Sequence, residues 1–228
     1  SPEPISIGGL GISSLGAIRS ISGNNTLTGS ITITGNARIN VDAGTLSLTS
    51  TTAVALSNNN LNTGVASGTS MTISGALTGS GALTKDNTGT LFLSGTSSSY
   101  DGIVNVSSGV VNVQSNSGLG TATGNTIVSS NASLQVQNSI TSSEPILIGG
   151  LGVSSLGALR SVSGNNNLTG AISLSSSARI TVDAGTLSLT SGSALDLSTG
   201  SLNTGVFSGT SLFLTSALTG NGTFTKDS

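Results

Sequence analysis

The sequence predicts an all-β fold, a right-handed parallel β-helix (β-solenoid) with rungs of about 20–25 residues, and three observations carry that prediction. The composition is uncharged but not hydrophilic: of 228 residues only 6% are charged, 33 are Gly, 76 are Ser or Thr, and the net charge is −2. Short runs of alternating apolar and polar residues recur between clusters of Gly, Asn and Ser, the pattern of half-buried strands joined by turns. A long segment also returns almost unchanged: Glu3 to Asn25 reappears as Glu144 to Asn166.

The composition argues against disorder, which goes with high net charge and few aliphatic residues. The chain is long enough for a continuous apolar core. Cysteine is absent, so disulfides and thiolate metal sites contribute nothing, and extended packing with backbone pairing must hold the fold. No apolar run approaches the roughly 18 residues of a membrane helix, and no basic segment followed by an apolar one opens the chain. The sequence therefore reads as an excised or mature segment with no membrane span.

The repeat carries Glu3 onto Glu144, an offset of 141. Glu3 through Asn87 aligns on Glu144 through Ser228 without a gap, with 56 identities in 85 positions. The chain divides into a first unit, residues 1–143, and a truncated second unit, residues 144–228, expected to form one continuous solenoid. Ile18 becomes Leu159, Ile33 becomes Leu174 and Met71 becomes Leu212, exchanges that keep an aliphatic residue in place and mark inward positions. A looser period lies inside each unit. The runs beginning at Thr45, Ser70, Thr90, Val110 and Ser133 are about 20–25 residues apart, one strand per coil. Six or seven rungs make one unit, and the whole chain is expected to be a rod about 50 Å long at ~4.8 Å per rung. Antiparallel sandwiches would need a sustained series of tight hairpins, and only Asp101-Gly102 and Asn221-Gly222 offer one.

Alternation assigns Ile31, Ile33, Leu46, Leu48, Leu91, Leu93, Val111 and Val113 to the interior, together with Ile172, Leu174, Leu187 and Leu189. By the same rule Phe92, between Leu91 and Leu93, and Phe213, between Leu212 and Leu214, point outward. A shared column of these two rings is a candidate self-contact stripe. The asparagines at 24, 25, 58–60 and 165–167 are placed at rung corners in the left-handed conformation, with stacked amides forming ladders.

Gly81 to Gly120 carries Leu83-Thr84-Lys85, Gly89-Thr90-Leu91, Leu93, Gly95, Tyr100, Gly102, Val106, Gly109, Val113 and a closing Leu119-Gly120. This stretch, 81–120, resembles the passenger-associated transport repeat, also called the autotransporter-associated β-strand repeat. A second copy begins at Gly222 and runs to the end of the chain. The family usually has Gly where Asn87 stands and Asn where Ser98 stands. The resemblance implies a β-helical passenger exported to the cell surface of a Gram-negative-type bacterium, extracellular or associated with the outer membrane, with the repeat linked to passenger transport.

Catalytic chemistry finds little purchase. There is no His, so no Ser-His-Asp or Cys-His nucleophile and no imidazole metal site. Glycan-processing β-helices need neighbouring carboxylates. Here Glu3, Asp42, Asp86, Asp101, Glu144, Asp183, Asp196 and Asp227 are scattered along the rod. The candidate sugar platforms number five: Phe92, Tyr100, Phe207, Phe213 and Phe224. Gly8 to Ser13 echoes a calcium-binding nonapeptide but has Ser13 in place of the carboxylate, and reads as a tight turn. Asp42 and Asp183, each two residues before a Gly, read as turn formers whose carboxylates cap local amides. Arg19, Arg38, Arg160 and Arg179 are assigned to intramolecular pairs. A slightly acidic chain gives no support for nucleic acid.

The reading is a non-enzymatic structural or adhesive passenger segment of a secreted cell-surface protein, forming a rigid stalk or filament. No catalytic, cofactor or metal residue is assigned. Its expected partners are copies of itself, end-to-end or lateral, or a cell-surface ligand. A self-assembling extracellular fibre or matrix protein is the alternative, and a glycan-processing enzyme the third reading.

Overall fold

The structure is a computed structural model that describes residues 1–49, 53–95 and 99–227. Among these residues it is a parallel β-solenoid of about 10 turns, and the only helical segments are two single 3₁₀ turns, Ile12–Ser14 and Val153–Ser155. Three faces, separated by corners, make up each turn. In the first unit, face I holds Ile5–Gly9, the start of Ile31–Val41, Val54–Ser57 and Leu77–Gly79. Face II holds Ile18–Ser20, the end of Ile31–Val41, Leu61–Val65, Leu83–Asp86 and Val104–Val106. Face III holds Asn24–Leu27, Thr45–Leu48, Ser70–Ile73, Thr90–Leu93, Gly109–Val113 and Ala132–Val136.

Each strand hydrogen-bonds to the rungs above and below, so like positions stack. Leu46, Met71, Leu91, Val111 and Leu134 form one such column, and all are buried. Along it the chain takes its shortest steps from Met71 to Leu91 and from Leu91 to Val111, and its longest from Leu46 to Met71. Every position assigned inward by alternation is buried, from Ile31 and Ile33 through Leu187 and Leu189. The pleat explains this: alternate side chains enter a lumen bounded by three sheets, where only aliphatic residues fill the space without unsatisfied polar atoms.

The two sequence units run into one continuous coil, but they are not in phase. Ile146–Gly150 is the copy of Ile5–Gly9, yet it stacks on Thr126–Val128 and so continues face II rather than face I. The register can be followed rung by rung: Ile39, Thr63, Lys85, Val106, Val128, Ile148 and Leu174 form one column. Leu174, the equivalent of Ile33, thus lies six turns above Ile39, and the true equivalent of Ile39, Ile180, lies one face further on. One sequence unit therefore spans six and a third turns of about 22 residues, and the second copy is rotated by one face, about 120°, relative to the first.

One expectation is corrected by the geometry. Asn24, Asn25, Asn165, Asn166 and Asn167 lie within strands, and none of the asparagines placed at corners has a positive φ; the left-handed asparagines are Asn87 and Asn138. A side-chain bond replaces the backbone twist: the Asn25 amide donates to Ser20 Oγ and the Ser22 carbonyl, and Asn166 repeats this with Ser161 and Ser163. As the solenoid requires, the pairings among the described residues are parallel, and Asp101-Gly102 and Asn221-Gly222 form no antiparallel hairpin. Asn87 adopts φ 59°, the left-handed conformation suited to a glycine, whereas Ser98 lies outside the described residues.

Leu91→Ala is expected to lower stability by about 2–5 kcal/mol through the cavity left in the stack, whereas outward Thr90→Ala changes it by no more than about 0.5 kcal/mol. Equal losses in denaturant melts would contradict the assigned faces.

Candidate functional site

With the lumen filled, any functional surface lies on the outside of the rod, and its charges are mostly committed to one another. Arg19 pairs with Asp42 and Arg160 with Asp183, each at 2.6 Å. Arg38 reaches across two rungs to Asp86 at 2.6 Å, with Asn62 and Asn40 also accepting from its guanidinium. The glycine between makes this reach feasible, because a Cβ on Gly64 would collide with Arg38 Nη2. Arg179, Gly205, Asn203 and Asp227 repeat the arrangement in the second unit. All four arginines are thus engaged within the chain. Asp42 and Asp183 use their carboxylates for these pairs rather than for capping local amides, a correction to the turn-former reading, while Gly44 and Gly185 supply the turn with positive φ.

The aromatic stripe is not formed. Phe92 sits between Thr72 and Asn112 on face III, half-buried at the edge of a shallow outer groove of about 420 Å³. Phe213 lies above Ser188, Asn167 and Thr141, a column on a different face, and is 57% exposed. The third of a turn between units separates the two rings. Tyr100 is no sugar platform either. It is fully buried, and its hydroxyl accepts from the Leu83 amide and donates to the Ile103 carbonyl, tying one rung to the next. Burial pushes its hydroxyl far above the usual tyrosine range. Phe207 and Phe224 are exposed at the last turn.

Two ionisable groups point inward, which alternation alone did not single out. Lys85 is fully buried, and its ammonium donates to the carbonyls of Asp86, Asn87 and Ser108, closing the corner after Leu83–Asp86. Burial pulls its pKa down to about 8, partly offset by Asp86. Glu144 is 1% exposed at the junction of the units; Thr126 Oγ1 donates to its Oε1 at 3.4 Å, and Oε2 has no partner among the described residues. Desolvation raises its pKa to about 7. Its counterpart Glu3 is exposed. No cluster of acidic residues suited to a metal occurs among the described residues.

One surface feature escaped the sequence reading. The loops Gly8–Gly16 and Gly149–Gly157, read as tight turns, hold leucines in solvent: Leu10 and Leu15 in the first unit, Leu151 and Leu156 in the second. The signal was available, since apolar residues flanking Gly-rich turns at identical positions in both copies have no strand to alternate on.

No family model, no curated protein and no solved structure matches this chain.

Glu144 yields a pH test. The unfolded carboxyl releases its proton near 4.5 and the folded one near 7. Stability contributed by the protonated form is full below the lower value and is lost as pH rises through the upper, about 3 kcal/mol in all. The difference in unfolding free energy between the parent and Glu144→Gln should therefore change between pH 4.5 and 7.5. A constant difference would mean that the carboxyl is solvated in the folded state.

Proposed function

We propose that this chain is a non-catalytic structural or adhesive segment of a bacterial cell-surface protein, a stiff stalk or filament exposed outside the cell. The observation that carries the reading is the commitment of the rod's outward charge to itself. Four arginine–aspartate pairs run along the faces, and the remaining acids are spaced apart rather than convergent. Such a surface has little with which to polarise a substrate, and much Ser, Thr and Asn with which to make many weak contacts. The resemblance of residues 81–120 to the autotransporter-associated repeat supports an exported passenger. The coil supports it too, because a fold that adds one rung at a time needs contacts only between neighbours.

The test couples the chain to beads. Beads coated with it should cluster or attach to bacterial or host cells, and the soluble chain should release no reducing ends or unsaturated sugars from a panel of polysaccharides. Depolymerisation of any polysaccharide in the panel would overturn the proposal.

A further inference from the structure

Glutamine occurs three times in this chain, at Gln114, Gln135 and Gln137, and all three stand on face III within two adjacent rungs. Two outward files meet there. The first runs Ser47, Thr72, Phe92, Asn112 and Gln135 in register. The second, two residues further along each rung, runs Thr49, Ser74, Ser94, Gln114 and Gln137, whose backbone amides each donate to the rung before. Below Phe92 both files hold only Ser and Thr. The change to an aromatic ring and long carboxamides is abrupt.

The carboxamides are fixed by one another. Gln114 Nε2 donates to Asn112 Oδ1 at 3.2 Å, and Asn112 Nδ2 donates to Gln135 Oε1 at 3.0 Å. Asn112 is the buried link, so the two outer amide planes are set before any ligand arrives. A ladder that served stacking alone would consume its donors and acceptors internally. This one leaves Gln114 Oε1, Gln135 Nε2 and both polar atoms of the Gln137 side chain without a partner among the described residues, on side chains that are part-exposed. Phe92 is reachable as well, since its ring borders the open groove of about 420 Å³ beside Ser70 and Thr90. From Ser47 to Gln137 neither file carries a charge, and Arg160 on the next rung is neutralised by Asp183 at 2.6 Å.

We propose that this patch of face III binds a neutral polysaccharide, which lies along the rod axis with one sugar ring against Phe92 and the hydroxyls of the next bonded to Gln114, Gln135 and Gln137. The inference rests on the structural or adhesive reading above and deepens it by naming the ligand's chemistry. Three features select that class. A carboxamide presents a donor and an acceptor side by side, which suits the paired hydroxyls of a pyranose, each able to give and to take a hydrogen bond. An aromatic face, negative at its centre, packs against the C–H face of such a ring. An uncharged patch offers no counter-ion to a uronate or sulfated chain, and burying such a charge unpaired is costly. The rung step of about 4.8 Å is also close to the length of one pyranose residue in an extended chain, so successive sugars meet successive rungs. Gln is among the side chains that lose most rotamer freedom when fixed. Asn112 has already imposed that loss on Gln114 and Gln135, which leaves more of the contact energy for binding.

Affinity electrophoresis in native gels tests this, with mannan, galactomannan, laminarin or hydroxyethylcellulose cast in the gel and alginate and polygalacturonate as anionic comparisons. At least one neutral polysaccharide should retard the parent chain, and the anionic pair should not. In a combined Phe92→Thr, Gln114→Ser and Gln137→Ser variant, each position takes a residue type that its own file carries on a lower rung, as at Thr72, Ser94 and Ser74. Its melting temperature should therefore hold while the affinity falls about tenfold or more. A second variant, Phe92→Trp, places one indole in a chain without tryptophan, and its emission should shift to the blue when the retarding polysaccharide is added. No retardation by any neutral polysaccharide, equal retardation by the anionic pair, retardation undiminished in the triple variant, or an indole blind to the ligand overturns the site and leaves the structural or adhesive reading standing. Cleavage of the polysaccharide, seen as new reducing ends, would instead overturn that reading itself.

Discussion

Everything in this molecule depends on the in-register stacking of one rung on the next through parallel backbone hydrogen bonds. Each amide and carbonyl along a strand is satisfied by its neighbours about 4.8 Å away, and that stacking aligns side chains into columns. A column in the lumen must be filled at every rung, since a missing side chain leaves a gap that neighbours above and below cannot close. The aliphatic alternation of the sequence is the local expression of that demand. Where the lumen admits polar groups, they bring partners: Lys85 meets three carbonyls, and Tyr100 bridges the Leu83 amide and the Ile103 carbonyl. Glu144 is the exception: its Oε2 has no partner among the described residues, and burial raises its pKa.

Two periods coexist in the chain, and their mismatch shapes its surface. The coil closes about every 22 residues, whereas the sequence returns only from Glu3 to Glu144. The three faces tolerate the resulting offset because each presents the same kind of interior: Leu174 from the second unit stacks on Ile148, and that on Val128 from the first, with no polar atom displaced. Outside, the offset has the opposite effect. A feature that occurs once per unit is carried around the rod rather than along one side. This separates Phe92 from Phe213 and spreads the Gly-rich loops over different faces.

The interior was legible in the sequence because burial in a strand follows period 2, and Leu46, Leu91, Val111 and Leu187 obey it. The arginine pairs were legible in kind, since few cations and matching acids recur together, though the span of Arg38 across Gly64 to Asp86 was not. What alternation cannot reveal is the length of each corner. Short and long rungs differ only in their turns, so one sequence unit fits six or seven coils equally well, and the phase of the second unit stayed hidden. The same blindness at corners explains the asparagines. An Asn can tie a corner by its side chain, as Asn25 does to Ser20 and Ser22, without adopting the backbone conformation its composition suggests. Nor does sequence alone tell that Glu144, beside Pro145, is covered by a rung while Glu3 is not.

The offset between the units is the claim on which the surface geometry rests, and a cross-linking comparison at the junction tests it most directly. Ile127 and Leu147 are outward neighbours in register on adjacent rungs, within the Cα separation of about 4.4–6.8 Å that a disulfide accepts. If the repeat were a whole number of turns, Leu147, the copy of Ser6, would instead continue the face I column of Thr32, Ala55, Thr78 and Ser99 and would not neighbour Ile127. With cysteines introduced at both positions, mild oxidation should join 127 to 147. Two free thiols under the same oxidation would contradict the third of a turn.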